Sequence, residues 1–191
     1  ILNYNFSSLI LNKSSINFFN NFLIISTIVF FYIFPFVLIQ FKELLNFIKK
    51  NKMFILIIFL FLTSSYFLSN ITNNQLIKID YGGGVFIKFS KMINLDIKII
   101  VYVVSFLSLL CMQFLFQKNL ILNYLVLIIL VFTFPLVVIF QKYFDPLLFL
   151  ILFGLIKSEI LDQIFYKNLM NVLIIYFYFT SFFIISTIYY L

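Results

Sequence analysis

Long apolar stretches with no charged residue limit the folds of this chain more than any other feature. No Asp, Glu or Lys interrupts residues 18–39, 53–69, 99–116, 120–140 or 172–190. A stretch of roughly 20 such residues is what a helix needs to cross the hydrocarbon core of a bilayer. Helices are favoured there because their backbone N–H and C=O groups bond to one another. The apolar surplus is also too large for a water-soluble core. Of 191 residues 64% are hydrophobic and 10% charged, against roughly 45–50% and about 25% in soluble domains. The reading is an all-α, polytopic transmembrane helix bundle forming one integral-membrane domain over 1–191.

Residues 1–17, rich in Asn and Ser, form a lead-in, and 18–39 is the first expected span. In "QFKELLNFIKKNK" Phe41, Leu44, Leu45 and Ile48 recur at helical spacing, with Lys42, Glu43, Asn46, Lys49 and Lys50 opposite. That pattern predicts a short amphipathic helix along the membrane surface. Further spans are expected at 53–69, 99–116 and 120–140, and Pro135 should kink or break the last of these. The apolar run 147–156 has only ten residues, about 15 Å, or half a bilayer core. It is either a re-entrant half-helix or part of a longer one. The stripe Ile160, Leu161, Ile164, Phe165 and Leu169 favours one continuous helix, 146–165, with Lys157 snorkelling to the headgroups. The sixth span, 172–190, carries Tyr176, Tyr178, Tyr189 and Tyr190 as interfacial anchors.

The net charge of +7 comes from 13 lysines against six carboxylates. In a membrane protein such an excess contacts anionic lipid headgroups. With no basic helix or aromatic platform of a nucleic-acid module, membrane lipids are the expected partners and nucleic acid is not. Loops 40–52, 117–119 and 157–171 hold seven lysines and the opposite set holds six. The cluster at 40–52 places the first set on the cytoplasmic side of a bacterial inner, endoplasmic-reticulum or organellar membrane. Ala, Arg, His and Trp are absent while Phe, Ile, Asn, Lys and Tyr abound, as an AT-rich genome produces. The phenylalanines therefore reflect codon bias rather than cofactor stacking, and no cofactor is expected. With no histidine and the single Cys111, no disulfide within the chain and no transition-metal site is expected.

Three of the four glycines, Gly82, Gly83 and Gly84, stand together in "DYGGGVFIKFSKM". After them Val85, Phe86, Phe89, Met92 and Ile93 share one helical face and Lys88, Ser90, Lys91 and Asn94 the other, with Ile87 the misfit. An amphipathic helix resting on the membrane surface is expected. Consecutive glycine N–H groups at a helix start attract phosphate, so Gly82–Gly84 with Lys88 and Lys91 are a candidate lipid-phosphate site. The same residues also suit a flexible turn into an interfacial helix. Asp80 and Asp96 bracket the segment; either carboxylate could serve as a base or bind a hard cation, but each stands alone in the sequence, as loop carboxylates without a chemical role do.

A second segment, "QKYFDP" (141–146), ends one apolar run and opens the next, with Asp145 suited to N-cap and Pro146 to first helical residue. A basic residue followed by Tyr and a Pro-started apolar helix resembles the late (E)xRYxxP region of GT-C-type glycosyltransferases, polytopic enzymes that use polyprenyl-phosphate-linked sugars. The order of elements over 70–156 is similar to the C-terminal half of the alpha-1,2-glucosyltransferases of dolichol-linked oligosaccharide assembly and their bacterial relatives. Lys142, Tyr143 and Pro146 match the motif, and Gly82–Gly84, Lys88 and Lys91 match more loosely. The resemblance implies a polyprenyl-phosphate sugar donor bound by Gly82, Gly83, Gly84, Lys88, Lys91, Lys142 and Tyr143. It departs from the family in having Lys142 where Arg is usual, which weakens bidentate phosphate contact. No Asp or Glu precedes residue 40, whereas the family's acidic catalytic residues lie in an early loop. The resemblance thus implies a C-terminal portion of a longer enzyme, with catalytic residues unknown in this chain. The alternatives are a transporter or lipid flippase, and a non-catalytic membrane assembly subunit. The near absence of charge within the spans counts against ion-coupled transport.

Overall fold

The computed structural model describes residues 18–71, 84–117, 120–133, 141, 145–151, 154 and 158–190. All regular structure among them is helical. The first helix, α1 (Phe18–Ile39), has 22 residues, about 33 Å at 1.5 Å per residue. It is apolar all round and buried along most of its length, from Leu23 to Val37, as expected of a helix at the centre of a bundle.

Its main partner is α5 (Ile97–Leu115). Asp96 starts α5 as a side-chain cap, accepting from the Lys98 N–H at 2.8 Å. Between membrane helices there is little hydrophobic drive, so small residues and hydroxyls make the close contacts. In a chain without alanine, serine fills that role. Ser26 Oγ lies 2.9 Å from Ser105 Oγ, and Ser105 donates to the α1 carbonyl of Leu23 at 3.0 Å. Ser105, Ser108 and Cys111 recur every third residue of α5 and are all buried. Such hydrogen bonds contribute only about 0.6 kcal/mol on average. The larger effect of these residues is the small volume that lets two helices of Phe, Ile and Leu meet.

The amphipathic helix expected at 40–52 is α2 (Phe41–Lys50). It meets α3 (Lys52–Ile71) at 87°, the angle of a surface helix turning into a crossing one. Leu44 is buried and the Phe47 ring packs on Phe114 of α5 at 5.7 Å. The outer face of α3 is apolar and exposed, with Leu56, Ile57, Phe59, Leu60 and Phe67. Its hydroxyls bond to their own helix: Thr63 donates to the Phe59 carbonyl at 2.9 Å and Ser64 to that of Phe61 at 2.8 Å. A polar side chain satisfied within its own turn suits a hydrocarbon-facing surface.

α4 (Val85–Met92) forms where a surface helix is expected but is placed differently. Ile87 and Ser90 are fully buried while Phe89, Met92 and Ile93 are exposed. Ile87, the misfit on the surface-helix wheel, is thus the residue that anchors α4 to the bundle. A four-residue connection, 93–96, with Asn94 at φ +54°, folds α4 against α5. The helix packs into the bundle on this face rather than resting wholly on its surface.

α6 (Leu120–Thr133) matches the first part of the expected 120–140 span, and 134–140 with Pro135 lie outside the described residues. The continuous helix expected at 146–165 is not formed. α7 (Asp145–Leu150) begins at Asp145, and Ser158 is extended at φ −133° and caps a separate helix, α8 (Glu159–Lys167). Ser158 accepts from the Leu161 N–H at 3.4 Å and donates to the Leu115 carbonyl at 2.5 Å. One hydroxyl thereby serves an orphan donor at the start of α8 and an orphan acceptor at the end of α5. The apolar stripe that suggested continuity is the packed face of α8, where Leu161 and Ile164 are buried. Glu159 and Asp162 lie in its first turn, favourable with the helix dipole.

The last helix, α9 (Leu169–Tyr190), is exposed along most of its length. Its Tyr178 hydroxyl donates to the Phe31 carbonyl at 3.2 Å, and Phe182 packs on the Phe31 ring at 4.5 Å. Among the described residues three helices, α1, α5 and α9, are long and apolar enough to cross a membrane, and the bent pair α2–α3 makes up to four. These helices mark a membrane protein. Ser158→Ala should lower the thermal stability of the detergent-purified protein by about 1 kcal/mol, the usual loss for a cap. An unchanged melting midpoint would contradict the dual role of this hydroxyl.

Candidate functional site

The two segments singled out in the sequence meet in the fold. Gly84, buried at the N-terminal end of α4, has φ +84°. A Cβ there would lie 3.1 Å from Ile28 Cγ1 and 3.1 Å from Gln141 Oε1. Only glycine combines that dihedral with so close an approach. Ile28 is at the midpoint of α1, so α4 starts inside the bundle.

The first N–H groups of a helix have no partner within it. The Gln141 side chain supplies one, accepting from the Val85 N–H at 3.0 Å. Its amide nitrogen points toward the Tyr32 hydroxyl, with a long donor–acceptor distance of 3.5 Å. A polar junction of Tyr32, Gly84, Val85 and Gln141 thus joins α1, α4 and the 141–146 connection. Lys88, one turn along α4, is half-buried, and Lys91 is exposed. Gly82, Gly83, Lys142 and Tyr143 lie outside the described residues, as do Asp80 and Lys157. Gly82 and Gly83 directly precede Gly84, and Lys142 directly follows Gln141.

Gln141 and Tyr32 were not candidates on sequence. Gln141 stands beside Lys142 in "QKYFDP", and its signal was a neutral polar residue ending an apolar run. Tyr32 was the one tyrosine within the first span. Carboxylates among the described residues serve helix starts: Asp96 caps α5, Glu43 lies in the first turn of α2, and Glu159 and Asp162 in that of α8. The side-chain setting of Asp145, at the start of α7, is among those not described. A cavity of about 310 Å³ opens between α1, α5 and α6, lined by Phe18, Phe22, Leu109, Met112, Ile128 and Phe132 among others. Of the described site residues expected from sequence, Gly84, Lys88 and Lys91 do not line it.

The junction holds one helix N-terminus through a neutral side chain, with a lysine on the next turn. No family model matches the chain, and no curated protein or solved structure is significantly similar to it. Gly84→Ala should destabilise the protein by about 1–3 kcal/mol, the range for strained backbone. Thermal unfolding in detergent checks this, and a neutral result would contradict the close packing at Gly84.

Proposed function

We propose that this integral membrane protein binds a lipid-linked phosphate, as the donor-binding portion of a glycosyltransferase that uses a polyprenyl-phosphate-linked sugar. The observation that carries the reading is the bond from Val85 N–H to Gln141 Oε1. It joins the glycine-lysine segment to the segment with the basic-Tyr-Pro pattern. On sequence those segments are paired by the family resemblance and by the lysine distribution that sets both loops on one side of the membrane. In this reading Gly82–Gly84 offer backbone N–H groups, while Lys88, Lys91 and Lys142 supply positive charge and Tyr143 a hydroxyl.

A second reading, a transporter or lipid flippase, is favoured by one feature. α4 is a short helix whose N-terminal end lies beside the midpoint of α1. Half-helix starts inside a bundle commonly face anionic substrate groups in transporters. Both readings need phosphate recognition. They differ in the fate of the bound lipid, which donates its sugar in the first and crosses the bilayer in the second.

Thermal shift of the purified chain with a polyprenyl monophosphate tests the shared step. At a hundredfold excess over Kd, stabilisation of about 2.7 kcal/mol is expected. The dephosphorylated polyprenol should give none, and Lys88→Gln with Lys142→Gln should weaken binding about tenfold or more, given roughly 1 kcal/mol per lysine near a charged surface. Equal effects of alcohol and phosphate would refute the reading. Movement of a labelled lipid phosphate across vesicles, without sugar transfer, would favour the flippase.

A further inference from the structure

The surface helix α2 divides its apolar face between two environments. Around the helix the order runs Phe47, Leu44, Ile48, Phe41, Leu45, then Lys49 and Lys42, given 3.6 residues per turn. Leu44 is buried, and Phe47 and Ile48 are half-buried; Phe47 packs on Phe114. Phe41 and Leu45, in contrast, are 51% and 42% exposed. The open pair is bordered directly by Lys42 and Lys49. With Lys50 and Lys52, every lysine of this segment is exposed, and none makes an ion pair within the described residues. Four lysines against the single Glu43 leave three net positive charges over 41–52.

From this arrangement we infer that α2 is a binding surface for anionic lipid headgroups. The inference stands apart from the polyprenyl-phosphate reading, since it uses no residue of that site. The 87° angle to α3 sets α2 along the bilayer plane when α3 crosses. Phe41 and Leu45 then enter the acyl boundary while Lys42 and Lys49 remain at headgroup level, their stems along the apolar edge. Leu44 and Phe47 hold the lysines at a fixed position on the bundle, so the contact is local and repeatable. The carboxylates Glu159 and Asp162 belong to α8, which packs on α1 and α5. The open apolar pair edged by lysines fits lipids in a leaflet.

The test is lipid enrichment around the full chain. The protein is reconstituted in phosphatidylcholine nanodiscs with a minority of phosphatidylglycerol, and lipids retained on extraction are counted by native mass spectrometry. Phosphatidylglycerol should be enriched over its bulk share in the wild type. In the Lys49→Gln, Lys50→Gln, Lys52→Gln variant the enrichment should fall about fivefold per lysine, until it reaches bulk. The corresponding Lys→Arg variant should keep it. Rising ionic strength should erode the wild-type enrichment, a readout that does not depend on the Gln variant folding. Absence of wild-type enrichment, insensitivity to salt, or an unchanged ratio in a folded Gln variant would each overturn the inference. So would reversal of membrane orientation with the lipid ratio intact, which would assign the lysines to topology alone.

Discussion

The close approach of α1 and α5 at Ser26 and Ser105 is the contact on which the rest of the bundle is built. Large side chains make up most of both helices, and two such helices pack apart unless small residues lie between them. With no alanine in the chain and no glycine in α1 or α5, serine, threonine and cysteine are the small residues left to that contact. Ser26, Thr27, Ser105, Ser108 and Cys111 are all buried. The Leu23 carbonyl accepts from both Ser26 and Ser105, and the Ile24 carbonyl accepts from Thr27. A composition limited to few residue types thereby selects how its helices associate.

Once α1 and α5 are paired, the remaining elements have defined places. α4 folds back on α5 and carries Gly84 to the midpoint of α1. Ser158 ties α8 to the end of α5, and Phe47 docks α2 on the same helix near that end. α9 attaches to α1 mainly through ring contacts at Phe31. The outer surfaces of α3 and α9 are rich in exposed phenylalanine, isoleucine and leucine. In water such surfaces would be an aggregation hazard; in hydrocarbon they are matched to their solvent. Hydroxyls on those faces bond back to their own turns, as Thr180 does to the Tyr176 carbonyl at 2.8 Å and Thr187 to that of Phe183 at 2.8 Å.

Much of the helix inventory was legible from apolar run length and helical spacing. α1 has the bounds expected of it, α2 lies within the amphipathic stretch, and α5 and α9 begin two or three residues before the expected spans. What periodicity does not carry is the choice between two apolar environments. Ile87 read as a misfit on a surface helix because a wheel scores lipid and protein interior alike. The stripe through Leu161 and Ile164 suggested a continuous helix for the same reason. Ser158, which ends that continuity, gave a local signal as a capping residue three positions ahead of Leu161, but its second partner, the Leu115 carbonyl, is 43 residues away. Gln141 at Val85 is likewise a long-range contact. The glycine cluster was visible, whereas the side chain that meets it was not.

The serine contact is tested most directly by disulfide formation between cysteines placed at Ser26 and Ser105, in a chain whose native Cys111 is replaced by serine. The two hydroxyl oxygens are 2.9 Å apart, so the substituted sulfurs have only a short distance to close to the ~2.05 Å of a bond. Oxidation of the membrane-embedded protein should give a cross-link within one chain, seen as a reducible shift in gel mobility and a loss of two hydrogens in intact mass. No cross-link under conditions that oxidise an accessible control pair, or cross-links only between separate chains, would contradict the α1–α5 pairing and the bundle built on it.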